Sequence, residues 1–184
     1  MNREVERQVM HFLVGLLTIG LLYYFGKSLM VGIVFFVVIT GLLIINRRIL
    51  GMKVMIVDLF VQRFEREDVL FPGFGSACYA TGVLIPLVFL TDINQIAAAI
   101  FILAFGDGIS TVIGRLGKAR LPYNPEKSIE GSVAFFLASL PAYLFIGPAI
   151  VPLAAVASLV ESIPFGLDDN LTIPIACTVF FLVL

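Results

Sequence analysis

The sequence predicts an all-α integral membrane protein: a polytopic bundle of about seven transmembrane helices plus one interfacial amphipathic helix, in a single domain over residues 1–184. Three observations carry this. Hydrophobic residues make up 60% of the chain and charged residues 14%, whereas soluble domains hold about 25% charged and under half apolar residues. The apolar residues come in runs near the roughly 20 that a helix needs to cross hydrocarbon. The charges, finally, gather in a few connections.

Residues 9–25 and 28–46 read as the first two spans, parted at Gly26-Lys27. The opening MNREVERQVMH mixes both signs of charge and lacks a small-residue cleavage site, so it reads as a cytosolic start and not a removable signal peptide. In residues 47–68, Asp58, Gln62, Glu65 and Arg66 recur at helical spacing with Ile56, Phe60 and Phe64 on another side, the pattern of a helix lying along the interface. Spans three to seven are expected at residues 75–91, 94–115, 129–147, 148–163 and 170–184, with Pro141, Pro148, Pro152 and Pro174 predicting kinks or short segments. Cys78 and Cys177 sit in apolar runs without a neighbouring His or second Cys, which argues against a disulfide framework or a zinc site.

Basic residues set the orientation. Arg3 and Arg7, then Arg47, Arg48, Lys53, Arg63 and Arg66, then Arg115, Lys118, Arg120 and Lys127 all fall on one side of this threading, which the positive-inside rule makes cytoplasmic. The acidic turn Glu161–Asn170 falls on the same side. A net charge of −1 argues against nucleic acid as a partner.

Three clusters carry candidate chemistry. In the fourth span Asp107, Ser110, Thr111 and Gly114 follow i, i+3, i+4, i+7, a narrow polar face on an apolar helix. An acid at bilayer depth costs about 2.5–3.5 kcal/mol on insertion scales, so Asp107 is expected to work; Gly106 and Gly108 beside it leave room for a ligand or another backbone. In LPYNPEKSIEGS, Asn124, Lys127 and Ser128 are placed at the start of a helix whose amides can receive phosphate, with Arg115 nearby and Glu130 one turn on. In ASLVESIPFGLDDNLTIP, Glu161 precedes Asp168, Asp169 and Asn170, more acids than one helix cap requires. Carboxylates close to a phosphate-binding loop are a usual way to hold Mg²⁺. Asp168 and Asp169 are the expected ligands, Glu161 a further one, and Asp107 either accepts a proton or helps hold metal. Lone histidines at a membrane boundary are more often packing residues; His11 is kept as a weak candidate because it lies on the correct side.

FGDGISTVIGRLGKARLPYNPEKSIEGS and ASLVESIPFGLDDNLTIP, with FPGFGSACYATG and ERQVMH, resemble the membrane family of CTP-dependent polyprenol kinases, most closely its phytol kinase branch. The resemblance implies transfer of the γ-phosphate of CTP to an isoprenoid alcohol of polyprenol, phytol or geranylgeraniol type. It matches Asp107, Lys127, Glu130, Glu161, Asp168, Asp169 and Asn170 to the family's polar motif residues. A related enzyme class stands as the alternative, an isoprenoid-monophosphate kinase or a CTP-using lipid cytidylyltransferase. An ion-coupled transporter or scaffold ranks lower, because its polar residues should reach both faces and here one face lacks them.

Overall fold

The computed structural model describes residues 2–52 and 73–184. The first helix, α1 (Asn2–Ile49), is interrupted at Gly26, whose φ of 77° and ψ of 166° are open to glycine and strained for other residues. At 46 residues its apolar stretch would measure about 69 Å if straight, over twice the roughly 30 Å of hydrocarbon in a bilayer. It is not straight. Helix α2 (Phe74–Phe89) and helix α3 (Ile93–Phe101) are joined by a short connection, and both halves of α1 run along them.

The first half meets α3 and its continuation. Tyr23 donates its hydroxyl to Asn94 Oδ1 at 2.6 Å, and Gly15 sits so close to Ala104 that a Cβ there would approach it to 2.5 Å. The second half meets α2, with Lys27 Nζ donating to the Leu90 carbonyl at 2.6 Å and Ile45 packed on Gly73. The chain therefore turns back at Gly26, as its position between two apolar runs predicts. The expected interfacial helix, from residue 53 onward, lies outside the described residues.

Helix α3 continues through a π-helical segment (Ile102–Asp107) into α4 (Gly108–Leu116). This is the central column. Of its most apolar window 67% is buried, against 11% and 22% for the two other long stretches, so the rest of the protein rings it. Ile96, Ala97, Ala98, Ala99 and Ile102 are wholly enclosed. Small residues let the ring close in: Gly106 faces Phe135 and Ser139, Gly108 faces Phe12, and Gly114 lies against Gly131. Without a hydrophobic drive in lipid, such close backbone approach is how helices gain packing energy.

The all-α expectation holds along the described chain except after α4, where one small sheet interrupts the helices. Residues of the basic connection form a two-stranded antiparallel hairpin, β1 (Arg120–Leu121) and β2 (Asn124–Ser128), before α5 (Ile129–Ser139). Lys127 thus belongs to a strand and not to a helix start. The chain continues through α6 (Tyr143–Ile146), breaks at Gly147 with φ 59°, and returns as α7 (Ile150–Ser162), whose Ser158 donates to the Ser132 carbonyl of α5 at 2.9 Å. Helix α8 (Asp169–Val183) follows.

Seven spans are not reached by length. Among the described residues three stretches are long and apolar enough to cross a membrane, Glu4–Ile49, Ile93–Leu116 and Ile129–Ser162, while Phe74–Phe89 and Asp169–Val183 are apolar but shorter. Helices satisfy their backbone internally at any length, so the two shorter apolar helices can lie among the longer ones.

Gly82 holds α2 against the start of α8, where a Cβ would stand 1.9 Å from the Asn170 carbonyl oxygen, a backbone atom. Gly82→Ala is expected to cost about 1–3 kcal/mol by overpacking, read as a lowered Tm of the detergent-purified protein. Gly20→Ala, with nothing within 4 Å of the added methyl, should leave Tm unchanged.

Candidate functional site

Four elements bring one charged cluster together. Asp107 closes the π-helical segment, Glu161 lies in the last turn of α7, Asp169 opens α8, and Lys127 reaches in from β2. Carboxylate oxygens of Asp107, Glu161 and Asp169 all lie within 4.8 Å of one another. Asp107 is 7% and Glu161 2% exposed. Lys127 Nζ donates to Asp169 Oδ2 at 2.7 Å and to Glu161 Oε1. Ser110, one turn past Asp107, approaches Glu161 Oε1 at 3.1 Å and the Asp107 carbonyl at 2.9 Å.

Three carboxylates against one ammonium leave a net charge of −2 when all are ionised. Glu161 Oε2 is buried without a hydrogen-bond partner. A buried carboxylate oxygen costs free energy unless something positive or donating meets it, and three hard oxygen donors in this arrangement fit a magnesium-type cation. Burial by itself would lower the Lys127 pKa, but Asp169, Glu161 and Asp107 outweigh it and raise the value above that of an ordinary lysine. Lys127 is therefore an ammonium at neutral pH and no base.

The other predicted residues hold the scaffold. Asp168 is the N-cap of α8, accepting from the Asn170 backbone N–H at 3.0 Å and from Asn170 Nδ2 at 2.7 Å. It stands outside the carboxylate trio: the structure groups Asp169 with Asp107 and Glu161 and not with Asp168. Ser128 caps α5, accepting from the Gly131 N–H at 3.1 Å and donating to the Gly114 carbonyl at 3.2 Å, which occupies the group expected to meet phosphate. Glu130 accepts the Lys118 and Ala119 amides at 2.8 and 3.1 Å and so ties down the loop before β1. Asn124 Nδ2 donates to the Ser162 carbonyl at 2.9 Å, docking the hairpin on α7.

Arg115 pairs with Glu4 at 2.8 Å, joining α4 to the start of α1. Gly106 and Gly108 are filled by neighbouring side chains, leaving no ligand space. His11 packs edge-on against Tyr79 with ring centroids 4.7 Å apart. Sequence reasoning missed Tyr123, whose hydroxyl shares a 2.9 Å hydrogen bond with Ser162 Oγ. Its only signal was its place in the hairpin turn. Together Tyr123, Lys127, Glu161, Phe165 and Asp169 line a cavity of about 380 Å³ on the side of the cluster away from Asp107.

No family model and no solved structure matches the chain. It is 31% identical to an uncharacterized protein of Methanocaldococcus jannaschii over 175 residues, 94% of this chain and 89% of that one. It is 35% identical over 156 residues to probable phytol kinase 2, chloroplastic, of Oryza sativa subsp. japonica, covering 73% of this chain and 51% of the kinase. To phytol kinase 1, chloroplastic, of Arabidopsis thaliana it is 28% identical over 201 residues, covering 95% of this chain and 64% of the kinase. The chain thus spans between half and two thirds of the length of those two kinases. An apolar bundle built around one polar end, aligned over 73% to 95% of its length with these relatives, belongs to the polyprenol and phytol kinase-like family.

Proposed function

We propose that this chain is a membrane kinase that moves the γ-phosphate of a nucleoside triphosphate onto an isoprenoid alcohol. The observation that carries it is the meeting of Asp107, Glu161 and Asp169 with Lys127, the first two buried, beside a cavity that Lys127, Glu161 and Asp169 line. Two of the relatives are a phytol kinase and a probable phytol kinase. CTP is the donor that the family resemblance implies. Asp107 and Glu161 would hold Mg²⁺, which when bound would neutralise phosphate oxygens, and Asp169 keeps the oxygen that Lys127 does not engage for a proton. The basic residues gathered at this end of the bundle, Arg7, Arg47, Arg48 and Arg115 among them, support a cytoplasmic orientation for the site.

Phosphoryl transfer asks a protein chiefly for positioning and charge. The alcohol oxygen forms a bond to the γ-phosphorus as the bond from that phosphorus to the β–γ bridging oxygen breaks, and the nucleoside diphosphate leaves. Lys127 places a fixed positive charge by the phosphate oxygens. Asp169 borders the cavity and its side chain is 31% exposed, against 3% for Glu161. The alcohol proton passes to an Asp169 oxygen.

Purified protein incubated with CTP and geranylgeraniol should carry label to the lipid from the γ position and none from the α position. Label from the α position would make it a nucleotidyl transferase. Chelation should stop the transfer and added Mg²⁺ restore it.

The neighbouring aspartates should part company. Asp169→Asn should lower kcat by about 10²–10³, the usual range for losing one charge-handling group at a reacting centre. Asp168→Asn keeps a good helix cap and should stay within a few-fold of wild type. Equal losses would remove the role assigned to Asp169.

The raised Lys127 pKa also fixes a sign. Its contribution to stability is complete below the ordinary lysine value of about 10.4 and is lost only as pH rises through the higher folded value. The pH–rate profile should accordingly show no alkaline limb from this residue up to pH of about 9. A limb that moves in Lys127→Arg would contradict the assignment.

A further inference from the structure

Next to the polar cavity lies a second, larger one. Between α7 and α8 runs an open apolar groove of about 630 Å³, within the 300–1,000 Å³ typical of pockets for small ligands. Val156 and Val160 form one wall, one helical turn apart; Ala176, Val179 and Phe180 form the other. The two cavities share Phe165 and Leu167 in the α7–α8 connection, so the groove ends where the carboxylate-lined cavity begins.

The face of α8 makes the same join. Asp169, Thr172, Ala176, Val179 and Val183 fall at i, i+3, i+7, i+10 and i+14, one stripe that starts as a carboxylate of the cluster and continues as groove lining. From Thr172 to Val183 the stripe is about 16 Å long at 1.5 Å per residue.

We propose that this groove holds the hydrocarbon chain of the isoprenoid alcohol, with its hydroxyl delivered past Phe165 and Leu167 to Asp169. The inference rests on the kinase reading and names where that substrate lies. One groove between one helix pair takes a single chain; a two-chain lipid would leave its second chain outside. Chain length is then read by the far half of the groove, at Val179 and Val183, and the position of the hydroxyl by Phe165 and Leu167.

The test uses the full chain in detergent with a geranylgeraniol analogue bearing a diazirine at the end of its tail. Photolabel is expected on peptides of α7 and α8 that line the groove, and unlabelled geranylgeraniol should compete it away while phosphatidylcholine does not. Val179→Trp fills the far half at a position that is 53% exposed, where folding tolerates bulk. It should remove the label and lower kcat/KM for geranylgeraniol at least tenfold more than for geraniol. Leu144→Trp, on an exposed position of α6 away from the groove, should change neither.

Competition by phosphatidylcholine as strong as by geranylgeraniol would make the groove an ordinary lipid contact and overturn the proposal. So would phosphate transfer with label mapped elsewhere, an outcome that leaves the kinase reading standing. Competed label in the groove without phosphate transfer to any alcohol would do the reverse, sustaining the groove while removing the kinase.

Discussion

Two buried carboxylates and a half-buried third meet at the end of an apolar bundle, and one lysine stands among them. Removing such groups from water costs several kcal/mol per ion even after relaxation, and mutual repulsion among Asp107, Glu161 and Asp169 adds to it. The ion pairs from Lys127 to Glu161 and Asp169 offset part of this cost. They do not reach Glu161 Oε2, which stays buried and unpaired. Much of the surrounding architecture acts to keep these groups in place against that cost.

The hairpin is one such device. Lys127 is on a strand because β2 must carry its ammonium across to α7 and α8, and the strand is docked by Asn124 and Tyr123 on Ser162, the residue after Glu161. From the other side Glu130 clamps the loop backbone and Ser128 caps the helix that follows. Polar residues that resemble catalytic candidates therefore spend their hydrogen bonds on positioning. The glycines act similarly. Gly82 lets α2 touch the backbone at Asn170, next to Asp169, and Gly106 and Gly108 bring Phe135 and Phe12 onto the segment that carries Asp107.

Much was legible in the residues. Composition and apolar run length set the class of the protein, and Gly26 and Gly147 mark the two places where long apolar stretches break. Asp107 and Ser110 stand out because polar groups at helical spacing inside hydrocarbon demand a partner. The hairpin was not legible: RLPYNPEKS holds two prolines and a short apolar set, too little alternation to announce strands. Run length alone does not count the spans, because two long apolar stretches break at glycines and two apolar helices are shorter than a bilayer crossing.

By itself the sequence determined that acids, a lysine and small residues would gather at one end of an apolar helix bundle, since charge excluded from hydrocarbon must collect at its border. Only the tertiary structure decided which of them meet. Asp168 and Asp169 are adjacent and chemically alike, yet the extended backbone of Asp168, at ψ 139°, turns its carboxylate onto the amide of Asn170, while Asp169 begins the helix and points at Lys127. Neighbours in sequence diverge by about 100° around a helix, whereas Asp107, Glu161 and Asp169 converge from separate elements. That convergence depends on packing, which no local pattern records.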